Sequence, residues 1–388
     1  MNASARSRTR RTAAARSRTR PSRARPAMPG LLLPLLAFPV SLRGQPAEPP
    51  PLPAESPLAR IVNDVENRAF EIVVGPVELP TGMPHLRLPI QMVSFPIGGW
   101  LHGFEWELQD ARGRKLPESL LHHVDLIDPD QRELFAPIPR RILAAGRETQ
   151  RQEMPRLLGY PFEAGTRALV VAMFANPTER SYEGAFLHVR LFYSGEENGL
   201  VRPRDVYPFY LDVMGPVGPK GFDLPPGRTV RAWEGSPAID GRIMAVGGHL
   251  HDYARQIRLI DVTDGDVIYE TEPELGEGGR VVSVPTAHLW WRGGIKISRD
   301  HVYRVEVEYV NPLNHVAPDG GMGALGGIVL ATGEQEWPPL DRSNLAYVTD
   351  LTNTLEAPRR MQGHGHGGSG GEQGHGEGRG ARESGAPR

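Results

Sequence analysis

Two histidines separated by one leucine, His249-Leu250-His251, follow a glycine pair, and Met322 stands 71 positions beyond the second imidazole. Alternate residues of a strand project to the same face. The rings of His249 and His251 therefore share a side and Leu250 points away. Two imidazoles on one face make a clamp for a transition metal, and Gly247 and Gly248 let backbone or ligand approach closely. Asp252 or a backbone carbonyl is the expected group to orient a ring through its second nitrogen. By itself the pair also fits a zinc site or a structural role. The chain has no cysteine, which excludes disulfides, iron–sulfur clusters, thiolate zinc sites and cysteine nucleophiles. The soft donor must then be methionine, and thioether with imidazole selects copper. Met322 lies in the small-residue run GGMGALGGI, residues 320–328, a poor setting for methionine as core filler. A second pair, His122-His123, is adjacent. Neighbours on a regular strand face opposite ways, so these two need a bulge or a third ligand to share an ion. His288 precedes Trp290-Trp291, an aromatic pair that suits a sandwich core; His301 and His315 read as surface residues, and His85 and His102 have no partner at ligand spacing. No Gly-x-Ser-x-Gly, P-loop or dinucleotide fingerprint occurs in a usable context.

The elements that must hold these groups read as strands. Gly (45) and Pro (38) make up 83 of 388 residues, too much helix breaker for a helical bundle or coiled coil. Period-two alternation runs through Phe104, Trp106 and Leu108, through Ile257 and Leu259, and through Tyr303, Val305, Val307 and Tyr309. Turn signals recur at Asp128-Pro129, Asn176-Pro177, Asp264-Gly265 and Asn311-Pro312. A weak repeat pairs the segment from His122-His123 to Asn176-Pro177 with that from His249 and His251 to Asn311-Pro312. The expected fold is all-β: two tandem jelly-roll or β-sandwich domains, residues 61–213 and 238–335, joined by a Pro/Gly-rich linker at 214–237. A short helix over Asp341–Leu355 falls in an extension spanning 336–362.

The ends carry a different composition. Residues 1–28 hold nine arginines and no acid, so the rest of the chain, with 35 basic against 46 acidic residues, is at −11. An acidic body argues against nucleic acid as a partner. The basic stretch leads into the apolar run Leu31–Phe38, and 1–45 reads as a disordered leader with a signal-like segment, a second start being available at Met28. Export to the periplasm or the extracellular space follows, with no membrane span in the mature protein. Residues 46–60 form a Pro-rich linker. Residues 363–388 form a Gly-rich disordered tail whose His364, His366 and His375 suit loose metal binding.

The set His249-x-His251 with Met322 resembles the C-terminal domain of the copper type II, ascorbate-dependent monooxygenases, the family of peptidylglycine α-hydroxylating monooxygenase and dopamine β-monooxygenase. So does QIRLIDVTDGDVIYETEP after it. His122-His123 in LLHHVDLI, preceded by Gly103-Phe104-Glu105, resembles the N-terminal domain, and the likeness spans about residues 65–335. It implies two jelly rolls with one copper each. His249, His251 and Met322 would hold the copper that uses O₂, and His122 and His123 a weaker, electron-relaying one. Ascorbate or another one-electron donor would be co-substrate, and a small molecule would be hydroxylated. There are departures. The family's third N-domain histidine should fall near Met173-Phe174, where none stands, and His188 is displaced from it. Gly247 replaces an arginine, and Ala324 and Gly326 replace an asparagine and a tyrosine. The groups for a peptide carboxylate are thus missing, which removes peptide amidation, and the family's disulfides are absent. The alternatives are a non-catalytic copper protein for storage, delivery or sensing, and a metal-free sandwich for adhesion or carbohydrate binding.

Overall fold

The computed structural model describes residues 48–54, 58–149, 151–195 and 201–361, with backbone alone for the last five. The basic leader to residue 47 and the tail histidines His364, His366 and His375 lie outside the described residues. The protein is all-β, as its alternation predicts, with a single α-helix among the described residues. No described helix is long and apolar enough to cross a membrane.

The principal strands are β1 (Ala59–Asp64), β2 (Ala69–Leu79), β3 (Gly99–Gln109), β4 (Leu121–Arg132), β5 (Pro139–Gly146), β6 (Leu158–Phe162), β7 (Arg167–Phe174), β8 (Tyr182–Ser194) and β9 (Arg204–Asp212). They are followed by β10 (Gly227–Gly235), β11 (Gly241–Leu250), β12 (Ala254–Asp261), β13 (Asp266–Thr271), β14 (Tyr303–Asn311) and β15 (Gly323–Ala331), then α1 (Leu345–Met361). One long sheet runs β1-β2-β8-β3-β6-β9-β15-β11, and two smaller sheets, β7-β4-β5 and β10-β14-β12-β13, cover its two ends. The first core lies between β2, β8 and β3 on one side and β4 and β7 on the other, with Phe70, Ile72, Leu108, Val124, Leu126, Phe174 and Leu187 buried. The second lies between β9, β15 and β11 and the sheet of β14 and β12, around Phe209, Val246, Leu250, Leu259, Val305 and Tyr309.

These two sandwiches are not two domains on a linker. The described residues fall in one compact unit, and the long sheet crosses between the cores where β6 and β9 pair in parallel, Leu158 with Arg204 and Gly159 with Asp205. The segment expected to be a linker, 214–237, contributes β10, whose nine residues pair with β14 from Gly227↔Asn311 to Gly235↔Tyr303. Its glycines and prolines sit at the turns around the strand, where composition alone resembles a linker. Part of the Pro-rich stretch is also packed: Leu52 lies against the cluster of Ile127, Leu169, Val171, Tyr347 and Leu351 beneath α1. That helix begins four residues later than its expected start at Asp341, because Asp341 and Asn344 spend their side chains on the turn. Asp341 Oδ1 accepts from Ser343 N (2.9 Å), and Asn344 Oδ1 caps Ala346 N (2.9 Å).

The weak repeat has a structural counterpart. Asn176, after β7, donates to the carbonyls of Leu79 and Arg180 (2.9 and 2.7 Å) and accepts from Thr178 N (3.0 Å). Asn311, ending β14, donates to the carbonyls of Leu224 and His315 (2.8 and 3.1 Å) and accepts from Leu313 N (2.9 Å). Both are buried and satisfy backbone groups that the strand ends leave open.

Candidate metal centre

The N-terminal histidines sit on a bulge. Along β4, His123 pairs with Met173 but Leu121 pairs with Phe174, so His122 is the extra residue. Leu121 and Val124 are fully buried on the core side, and both imidazoles between them leave the core together with ring centroids 5.3 Å apart. The bulge thus meets the stereochemical requirement that adjacency imposes. Across the sheet from His123 stand Gly146 on one side and Met173 on the other, a thioether where the resemblance called for a third imidazole. Asp125 Oδ2 lies 3.2 Å from His123 Nδ1. His188 is elsewhere, on β8, with Nδ1 2.9 Å from Glu71 Oε1.

His249 and His251 come from the end of β11. Leu250 enters the second core, and the two rings stand 5.4 Å apart. The register β11–β15 pairs His249 with Ala324 and Leu250 with Gly323. The ladder ends there, and Met322 is the residue just before Gly323. The Tyr309 hydroxyl holds that end together: it accepts from His251 N (3.0 Å) and Met322 N (3.3 Å) and donates to the Met322 carbonyl.

The two pairs, expected to form separate sites, meet. His122 lies 5.5 Å from His251, centroid to centroid. His85, set aside on sequence spacing, lies 4.6 Å from His122. Leu86 pairs with Phe174, itself opposite Leu121, which carries His85 to the bulge from 37 positions away. Local sequence holds no signal for that neighbour.

The orienting carboxylate was also misplaced by sequence. Asp252 is taken up by Arg147 (2.8 Å) and Val281 N (3.0 Å). Glu148, from the N-terminal half, reaches His249 Nδ1 at 2.6 Å instead. It folds back over Gly146, where a Cβ would overlap its carboxylate. Burial opposes charge on both partners, yet their pairing holds Glu148 below the usual carboxylate range and lifts His249 above the usual imidazole range. Burial, reinforced by the neighbouring rings, drives His122 down to about 2 and His251 to about 3, so both are neutral near pH 7. With Nδ1 of His249 engaged by Glu148, the buried Nε2 atoms of His249 and His251 have no hydrogen-bond partner. Leaving a buried polar atom unpaired costs about 1–3 kcal/mol. A neutral His251 with a free ring nitrogen, beside a His249 whose direction is fixed by a carboxylate and whose proton a metal would have to displace, suits a metal ligand pair.

Among the described residues, the carboxylate and imidazole donors gathered within 4.8 Å of one another are Asp261, Asp264 and His301; the five histidines are spread more widely. The tighter group is a turn. Asp261 accepts from Thr263 N (3.1 Å) and Asp264 N (3.2 Å) and binds His301 Nδ1 (2.7 Å), so its donors are already used. His102 is buried in β3, His315 bonds Asn314, and His288 stacks on Trp290 at 4.5 Å while Trp291 stands exposed rather than in a core.

The strands define an all-β protein of jelly-roll or sandwich type. No family model and no curated protein matches the chain. Among solved structures it is similar to the major capsid protein P2 of bacteriophage PM2 (10% identity, TM-score 0.31, covering 68% of this chain and 99% of that one). It is also similar to PNGF-II (11%, 0.27, 73% and 62%) and to a fucolectin from striped bass (Morone saxatilis) serum (10%, 0.14, 68% and 85%). At these scores the likenesses carry no argument about function.

Proposed function

We propose that the chain is an exported copper protein that carries out O₂-dependent hydroxylation of a small molecule, with ascorbate or another one-electron donor as reductant. The observation that carries this reading is the pair of buried, unpartnered Nε2 atoms of His249 and His251 beside further imidazoles. His249, His251 and Met322 would hold the principal copper, and His122 and His123 belong to the weaker set. Copper supplies one-electron chemistry toward O₂ that no side chain here can perform. Glu148 fixes the tautomer and direction of His249, and Tyr309 fixes the backbone of His251 against that of Met322. Next to His249 the sheet carries little side chain: Ala324 lies opposite it, and Gly247 pairs with Gly326, whose missing Cβ would meet nothing closer than 4.0 Å. No arginine stands at Gly247, and neither asparagine nor tyrosine at Ala324 and Gly326, so amidation is not part of the reading.

The test is metal analysis and copper EPR on wild type, His249→Ala and His251→Ala, followed by O₂ uptake with ascorbate and a substrate panel. Expected are bound copper lost in both variants and donor oxidation coupled to a hydroxylated product. Wild-type protein that retains no copper after dialysis would sink the reading. A second reading, copper storage or delivery without turnover, is favoured by the wide spread of the donors. It prevails if copper binds but donor oxidation yields no product.

A further inference from the structure

A double-sandwich copper protein read from sequence keeps its two ligand groups apart, one per half. The distances here do not. Ring centroids step from His85 to His122 (4.6 Å), from His122 to His123 (5.3 Å), from His122 to His251 (5.5 Å) and from His251 to His249 (5.4 Å). His122 is the hub, touching rings from both halves. We propose that His85, His122, His123, His249 and His251 form one two-ion metal centre built across both sandwiches, with His122 linking the two ligand groups, in place of two independent sites.

This inference rests on the copper reading above and adds to it. Three observations support it. Five imidazoles exceed what one copper with an open position takes, but match two ions sharing a compartment. The centre has the negative charge to hold two cations: Glu148 lies 2.6 Å from His249, and Asp125 lies 3.2 Å from His123. The halves are also tied beside it. Glu148–His249 (2.6 Å) and Arg147–Asp252 (2.8 Å) both cross between them, and Glu148 is only 4% exposed. Moving the ligand groups apart would break a buried pair. The bulge at His122 serves the same end: with a regular strand there, that ring would enter the first core and the chain of imidazoles would be cut.

The experiment is a copper titration of the full chain, followed by metal content and integrated EPR intensity, on wild type, His122→Ala and His85→Ala. His85 is solvent-exposed, so its removal leaves the fold intact. Circular dichroism checks folding of the His122 variant. Expected for wild type are two equivalents of copper, with EPR intensity falling well below copper content as the second enters, from coupling between close ions. His85→Ala is expected to weaken the second equivalent by about 10-fold or more and to change the spectrum of the first, and His122→Ala to weaken both. Two additive signals of full intensity, with the His249/His251 signal unaltered in His122→Ala and His85→Ala, would overturn the shared centre and leave the copper reading standing. A single equivalent insensitive to both substitutions would do the same. Wild-type protein that binds no copper overturns both readings.

Discussion

Glu148 and Gly146 act as one device at the scale of single residues. The glycine leaves the space into which the carboxylate folds, and the carboxylate sets the direction of His249. Glu148→Gln keeps the shape and removes the charge, and copper affinity is expected to fall about 10-fold, read by competition with a chelator of known affinity. Gly146→Ala should move affinity the same way by displacing the unaltered carboxylate, and an unchanged affinity would refute this role for the glycine. A second residue-scale prediction concerns His301. Its hydrogen bond to Asp261 raises its pKa above 6.5, while Asp261, against the opposing effect of burial, is held below 3.8. A raised imidazole stabilises the folded state fully below its unfolded pKa and loses that contribution as pH climbs through the folded value. A depressed carboxylate contributes above its unfolded pKa and loses its share as pH falls through the folded one. Melting temperature should therefore drop more between pH 6 and pH 8.5 for wild type than for His301→Gln, and equal drops would contradict the pairing.

Elements differ in how much of their placement could be read from the chain. Strand β14 was fully readable: Tyr303, Val305, Val307 and Tyr309 are all buried, and the residues between them are partly exposed. Period two is a property of neighbours, and burial of one face is all it needs. Helix α1 was half readable. Its span was expected, with a start four residues early, but what docks it is Arg141 on β5, 209 positions before Asp350, at 2.7 and 2.8 Å. Removing one partner of a buried pair leaves the other charge uncompensated and costs about 3–5 kcal/mol. Asp350→Asn is accordingly expected to lower the urea midpoint, and amide exchange should show α1 opening first. His249-x-His251 was visible as a pair because its spacing is local. The bulge, His85 and Glu148 were not, since each depends on a register between strands far apart in the chain, and sequence period carries no information about which strand lies beside which.

For the whole molecule, the point at issue is whether two cores make two folding units. The long sheet joins them through two parallel residue pairs, a narrow seam. Apolar and polar groups also join the halves: Phe135 packs against Phe209 and Tyr303 with ring centroids 5.9 and 6.2 Å apart, Glu133, fully enclosed, accepts from Tyr210 N of β9 at 3.1 Å, and Arg140 stacks over Tyr207 at 5.4 Å and Trp337 at 4.5 Å. Such groups cannot lose their partners singly without cost. Thermal unfolding is therefore expected as a single transition, with calorimetric and van't Hoff enthalpies in agreement; two resolved transitions would show the halves to be independent. The row of imidazoles has a kinetic consequence as well. Of the five rings His85 is the most exposed and the other four are part-buried, so an ion leaving by that end of the row passes it. Stripping by a bulky chelator should then be slow and biphasic, and shortening the row at its outer end should speed the escape without altering what the innermost position holds at equilibrium.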